Sequence, residues 1–377
     1  MNLLYVAPLP IDINNLGGVP KKIFAQLEAL SDYFNCKLIY YNNGKVKVYD
    51  WITKEEKDLC DGRNRLDVIK TTIKVCQNEN FEGVYIRYPK SENVLLELCK
   101  TLSKNNTRYV IEIPTFPYDK EGNESIKGRL INLLDRIYRK KLKKYVARIV
   151  TYSSDETIFG IPTINTINGI DFNKISADFS EVDCRKQINA IAVSAMYRVH
   201  GYDRFIEGLH WYYSKGGTRD IVLRLVGTGD KCNEYKNLVS KYKLEDHVVF
   251  LGTLLGESLE NAYQGCAVGV NSLAIHRQGL KNESTLKTKE YAAKGLPIVS
   301  SSYVDALSAE GNKRFIYFAP ATDSPVDIEA FVEFVDGLYN TMTVQEIRNR
   351  IRDDGRKTCD VHITMKPIID YLIDKGE

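Results

Sequence analysis

The chain has 377 residues, 44% hydrophobic and 27% charged, and a formal net charge of +3 from 52 basic and 49 acidic side chains. That length exceeds one ordinary core and predicts two domains, and so balanced a charge points to no class of partner. No apolar run approaches the ~18 residues of a membrane helix. The eight cysteines are scattered without a C-x-x-C pair, which excludes a disulfide framework or a zinc site, and five histidines exclude a His-rich metal centre.

Taken in chain order, "MNLLYVAPLP" has no basic region or cleavage site and reads as a first strand rather than a signal peptide. Strands are predicted at 2–8, 36–42, 83–89, 108–114 and 148–153, with helical periodicity between them at 21–34 and 91–103. Alternation of this kind predicts parallel strands with crossover helices. A polar stretch without period, 172–187, marks a break, after which strands recur at 188–196, 220–230, 247–252, 266–274 and 296–302. Helices are predicted at 326–340, 343–353 and 365–376. The expected fold is α/β, with two doubly wound Rossmann-like domains facing a central cleft. The domains are expected at 1–180, completed by the C-terminal helix 362–377, and at 181–361. In such sheets ligands sit beyond the carboxyl ends of the strands.

Three loops can carry chemistry. After the first strand, Gly17 and Gly18 open a loop that either brings backbone N–H groups to a ligand or serves as a tight turn. Gly227 ends the strand "LRLVGTGD", with the same two readings. The third stretch is "GLKNESTLKTKEYAAKGLPIVSS", Gly279 to Ser301. Ser284 or Thr285 can cap a helix whose dipole and first-turn amides favour phosphate. Lys287 adds a full charge, Arg277 offers a fork suited to a diphosphate, and Glu290 is placed to accept hydrogen bonds from ribose hydroxyls. Gly295 stops the helix. An amphipathic surface helix with Lys–Glu pairing has the same composition.

The assembled order resembles the group 1 glycosyltransferases, which have the two-Rossmann GT-B fold, over nearly the whole chain. "EYAAKGLPIVSS" is similar to the second half of that family's acidic signature, so the resemblance gives Glu290 the ribose-binding role. The first glutamate of the signature falls on Asn282, with Glu283 beside it. "HRQGL" and "STLKTKEY" resemble a subgroup with H-R-x-G-L and S-P-L-K-T-R-E-Y motifs, bringing Gly279, Leu280, Ser284, Thr285 and Leu286 into the donor site. "HGYDRFIEGL" aligns with a block whose diphosphate-binding Arg and Lys fall on Ala195 and His200, leaving Lys287, Arg277 and Arg198 as the cations. "VVFLGTLLGESLENAY" and "TINGIDFNKI" resemble two further blocks, one framing the base and one preceding the interdomain linker. The family's first-domain histidine is replaced by "IPTFPYD"; Asp119 and Glu112 are the nearby carboxylates, although strand alternation would also point Glu112 outward.

The resemblance implies a retaining, metal-independent transfer from a nucleoside diphosphate sugar, with a UDP-sugar as the expected donor. Lys287, Arg277 and Glu283 take the catalytic roles. Gly17, Gly18, Arg198, His200, Gly227, Gly279, Leu280, Asn282, Ser284, Thr285, Leu286 and Glu290 line the donor, and no metal ligand is expected. A glycan acceptor in capsule, exopolysaccharide or lipopolysaccharide synthesis and a cytoplasmic location fit this reading. A nucleotide-sugar 2-epimerase and a non-catalytic carbohydrate-binding or accessory protein share the scaffold.

One segment stands apart. Residues 127–148 carry nine basic side chains against Asp135, a local charge of +8 that leaves −5 for the rest. Ile126, Leu130, Leu133, Leu134, Ile137, Leu142 and Tyr145 give it a helical stripe. It is either the solvated side of a core helix or a peripheral contact with the inner face of the membrane, suited to a lipid-linked acceptor. No aromatic-and-basic motif accompanies it, so nucleic acid is not an expected partner.

Overall fold

The computed structural model describes residues 1–118, 125–279 and 284–374. The chain divides into two compact units, Met1–Gly169 with Val361–Glu377, and Ile170–Asp360.

The first unit opens with β1 (Asn2–Pro10), α1 (Gly18–Ser31) and β2 (Asn35–Asn42). Leu3 to Ala7 are buried without alternation, as befits a strand covered on both faces. The hairpin β3 (Lys45–Asp50) and β4 (Glu56–Asp61) extends the sheet antiparallel to β2. The turn from β2 into β3 is Asn43-Gly44, with φ of 49° and 78°, the two-residue turn whose twist matches the flanking strands. Then come α2 (Arg65–Asn78), β5 (Gly83–Arg87), α3 (Asn93–Lys104), β6 (Arg108–Ile113), α4 (Ile126–Tyr138), β7 (Ile149–Thr151), β8 (Thr157–Ile158) and β9 (Ile161–Asn165). The strand order is β4-β3-β2-β1-β5-β6-β7-β9-β8, so the chain reverses its direction of growth between β1 and β5. The edge strand β4, "EKDLCD", is largely exposed, and its charges discourage edge-to-edge pairing.

The second unit runs β10 (Gln187–Val193), α5 (Tyr202–Ser214), β11 (Asp220–Val226), α6 (Cys232–Tyr242), β12 (Val248–Gly252), α7 (Glu257–Tyr263), β13 (Val268–Val270), α8 (Leu286–Lys294), β14 (Ile298–Ser300), α9 (Ala309–Phe315), β15 (Ile316–Phe318), α10 (Ile328–Tyr339) and α11 (Val344–Cys359). All pairs are parallel, in the order β12-β11-β10-β13-β14-β15. The direction of growth reverses between β10 and β13, the switch point outside which such sheets bind ligands. The last helix, α12 (Val361–Ile373), belongs to the first unit, where Val361, Met365, Ile368, Ile369 and Leu372 pack with β1 and α1.

The first boundary lies at 169/170 rather than at 180/181. Residues 170–179 look unpatterned in sequence because their anchors are backbone groups and one ring. The Ile170 N–H donates to the Cys359 carbonyl at 3.1 Å, and Arg352 donates to the Phe172 carbonyl at 2.6 Å while stacking on its buried ring. Six of the eight cysteines are buried; Cys60 is exposed and Cys232 half-buried.

Candidate active site

The site is built at the switch point of the second unit. The loop after β10 carries Arg198 and His200, the loop after β13 carries Asn271 and Ser272, and α8 starts beside them. The two loops are joined by backbone bonds, Leu273 N–H to the His200 carbonyl at 2.8 Å and Ala274 N–H to the Val199 carbonyl at 3.1 Å. So close an approach requires Gly201, since a Cβ there would sit 2.5 Å from that of Ala274.

Thr285 is the N-cap of α8, in extended conformation and without a side-chain cap bond to the first turn. Gly295 closes the helix in left-handed conformation, as its sequence predicts. Lys287 is half-buried in the first turn, and its Nζ donates to Ser272 Oγ at 3.0 Å. Ser272 is itself held, since Ser301 donates to its carbonyl from both N–H and Oγ at 3.3 and 3.2 Å. Asn271 Nδ2 donates to Ser300 Oγ at 3.1 Å, and Thr285 Oγ1 reaches Asn271 Oδ1 at 3.4 Å. Lys289, two residues on, is a structural cation, fully buried against Asp305 and donating to Ser284 Oγ at 3.0 Å. The two lysines of this turn therefore have different work.

His200 is stacked between Tyr197 and Tyr202. Its Nδ1 accepts from the Tyr197 N–H at 3.1 Å, so the neutral ring carries its proton on Nε2 and is a donor there. Burial, with the Lys287 charge second, pushes its pKa down to about 3. His200 therefore contributes stability above its ordinary value of 6.5 that is lost as pH falls toward about 3. In Lys287→Ala the His200 pKa is expected to rise yet stay below 6.5, because burial remains; an NMR titration of the imidazole checks this.

Arg277 corrects an expectation. Its guanidinium does not stand open to a diphosphate: it forms a two-bond pair with Asp203, at 2.7 and 3.0 Å, and meets Asp323 at 2.6 Å. The Asp203 hydrogen bond leads the causes that raise its pKa further above the usual arginine value. It also donates to the Arg198 carbonyl at 3.3 Å, tying the 3-10 turn Ile275–Gln278 to the loop after β10. The buried Arg204 reinforces this frame through the carbonyls of Leu273, Ser324 and Pro320. Arg198 itself is exposed.

Glu290 is half-buried one turn after Thr285. Burial chiefly raises the pKa of Tyr291 and Tyr263, and the Glu290 charge adds to both. Gly279 ends the Ile275–Gln278 turn with φ of 72° and open space around it. Leu280, Asn282 and Glu283, with Asp119 of the first unit, lie outside the described residues.

The glycines separate on steric grounds. Gly227 has φ of 119°, and a Cβ would lie 2.1 Å from the Ser194 carbonyl oxygen, so its role in the structure is to let two loops cross. Gly17 and Gly18 of the first unit, at the start of α1, have nothing within 4 Å of a would-be Cβ. Gly227→Ala is expected to cost about 1–3 kcal/mol or more in urea unfolding. Gly18→Ala should leave stability unchanged, which the same titration reads.

Glu112 is not turned outward. Its carboxylate is buried in the first unit, accepting from Lys22 at 2.9 Å, Arg87 at 2.8 Å, Tyr85 at 2.7 Å and Gln26 at 3.1 Å. So saturated a group is a framework element. Among the described residues no three His, Cys, Asp or Glu side chains are placed to hold a metal ion. A hollow of about 570 Å³ is lined by Phe179, Val182, Thr343 and neighbours. It opens near the residues that lead into β10, away from the strands' carboxyl ends.

Residues 187–340 match the family described as Glycosyl transferases group 1. That match lies within the second unit. No curated protein matches the chain by sequence. Solved structures do resemble the chain in fold. Anabaena HepE in complex with UDP has 12% identity and a TM-score of 0.64 over 99% of each chain. A Rickettsia africae glycosyltransferase has 14% identity and a TM-score of 0.62, covering 100% of this chain and 99% of that one. Sucrose-phosphate synthase from Thermosynechococcus elongatus has 12% identity and a TM-score of 0.63 over 100% of both. The chain shares their two-Rossmann GT-B fold.

The residues that sequence reasoning missed are Ser272, Asn271, Asp203 and Asp323. Ser272 and Asn271 were findable, since "VNS" follows the strand at the switch point. The two aspartates carry no motif.

Proposed function

We propose that the protein is a retaining, metal-independent glycosyltransferase that moves a sugar from a UDP-sugar to a glycan acceptor in capsule, exopolysaccharide or lipopolysaccharide synthesis at the cytoplasmic face of the membrane. The observation that carries this reading is Lys287, held on Ser272 in the first turn of α8 at the switch point of a six-stranded sheet, with His200 on the loop after the neighbouring strand β10. A cation, an N–H donor and a helix dipole converge there, which suits a diphosphate. HepE, whose fold is shared, binds UDP and UDP-glucose, which supports uracil as the base.

In this reading the bond from the sugar's anomeric carbon to the diphosphate oxygen breaks, and the electron pair leaves with the diphosphate. Lys287, the Nε2–H of His200 and the α8 amides stabilise the charge that develops there, usually the largest single contribution to such catalysis. The acceptor hydroxyl attacks on the face the diphosphate leaves, and the leaving oxygen takes its proton. Glu290 accepts from the ribose hydroxyls. Arg277 becomes a positioning residue that holds the Ile275–Gln278 turn through Asp203 and Asp323. Arg198, Ser284, Thr285, Leu286 and Gly279 border the donor, and Leu280, Asn282 and Glu283 keep the donor-site roles that the motif resemblance gives them, Glu283 as a catalytic residue. The open approach around Gly17 and Gly18 leaves room for substrate against α1 of the first unit.

A panel of UDP-, GDP-, dTDP- and ADP-sugars tests this by thermal shift in chelator, paired with a nucleotide-release assay. Stabilisation by one nucleotide class with turnover in EDTA supports the proposal. Stabilisation without turnover on any glycan acceptor would favour a binding protein, and no stabilisation would remove the donor site.

A further inference from the structure

The helix α4 presents its apolar side to solvent. Ile126, Leu130, Leu133 and Ile137 are 87%, 56%, 55% and 50% exposed, and their spacing of i, i+4, i+7 and i+11 puts them in one stripe. The side turned inward is polar. Asp135 is buried and accepts from Tyr88 Oη at 2.5 Å, the Ser91 N–H at 2.6 Å and Tyr118 Oη at 2.7 Å, and Asn132 accepts from Lys90. Rolling α4 to cover the stripe would break these bonds, so the apolar face is held outward by the polar one. An aliphatic face of this length is uncommon on a soluble surface without a partner.

Charge says what the partner is. Lys127 lies beside the stripe at helical spacing, with Arg129 and Arg136 on its other side. The 3-10 turn Arg139–Lys144 continues the helix and exposes Lys140, Lys141, Lys143 and Lys144, while Leu142 is buried and anchors it. A second copy of the chain would bring two such basic segments together, which like charges oppose. A bilayer with anionic headgroups satisfies both features, taking aliphatic side chains at the headgroup boundary and cations on the phosphates.

We propose that α4 docks the protein on an anionic phospholipid surface, laying Ile126, Leu130, Leu133 and Ile137 into the headgroup boundary. The inference stands apart from sugar transfer, since lipid binding is read without donor or acceptor. The full chain is sedimented with phosphatidylcholine vesicles and with vesicles containing about one third phosphatidylglycerol. Binding is expected on the anionic vesicles alone, weakened by salt, and reduced at least about tenfold in Leu130→Asp/Leu133→Asp. Both side chains are more than half exposed, so the melting temperature should not change. Lys140→Glu/Lys141→Glu is expected to lose binding as well, which keeps the test sound should the first variant fold poorly. Absence of binding to anionic vesicles would overturn the proposal, as would equal binding by both variants. So would a lipid-free dimer, seen by light scattering, that Leu130→Asp/Leu133→Asp dissociates.

Discussion

Lys287→Ala is expected to lower kcat for transfer by about 10²–10³-fold, the usual cost of removing one donor to developing negative charge. The Michaelis constant for the nucleotide sugar should move far less, because the helix start, His200 and Glu290 still hold the ground state. The asymmetry follows from when the charge appears: the bridging oxygen gains most of its charge as the sugar departs, and in the proposed site Lys287 is the cation that meets it. Thermal stability should be nearly unchanged, since Lys287 is half-buried and donates to a serine hydroxyl. Lys289→Ala is the contrasting variant. It strips the buried partner of Asp305 and should unfold the second unit rather than slow a folded enzyme. Steady-state kinetics with a melting curve for each variant separate the two lysines.

Glu112→Ala should be the most damaging single change in the first unit, costing about 3–5 kcal/mol, because it leaves Lys22 and Arg87 buried without their carboxylate. Burial alone would raise the Glu112 pKa, but Lys22 and Arg87 outweigh it and hold the group at about 2. A depressed carboxylate contributes stability above its ordinary value of 4.5, and that contribution is lost as pH falls toward about 2. Urea titrations between these limits should show the wild-type first unit losing stability that Glu112→Gln never had. A variant whose pH dependence matches the wild type would show that the carboxylate is not the titrating group.

Much of this was legible in the sequence where periodicity or a cap sets the outcome. Buried parallel strands read as unbroken apolar runs, and α8 starts after Thr285, one of the two N-cap positions its sequence allows, and stops at Gly295. The β2–β3 hairpin carried its own signal in Asn43-Gly44, but the charged strands beyond it mask the alternation and it went unread. Charge pairing was not legible. Arg277 looks like a free fork until folding brings Asp203 and Asp323 to it from distant positions, and Glu112 looks like an outward strand residue until Lys22, Gln26, Tyr85 and Arg87 converge on it. In α4 the apolar stripe was visible, but not which side faces out. Asp135 decides that, through hydroxyl and backbone donors that no helical pattern encodes.

The central claim is that the start of α8 binds the diphosphate of an activated sugar. A crystal structure of the protein with UDP tests it most directly. The account predicts the diphosphate within hydrogen-bonding distance of Lys287 Nζ and His200 Nε2, with the ribose hydroxyls on Glu290. Well-ordered UDP bound away from the β10–β13 switch point, with Lys287 still on Ser272 alone, would contradict it.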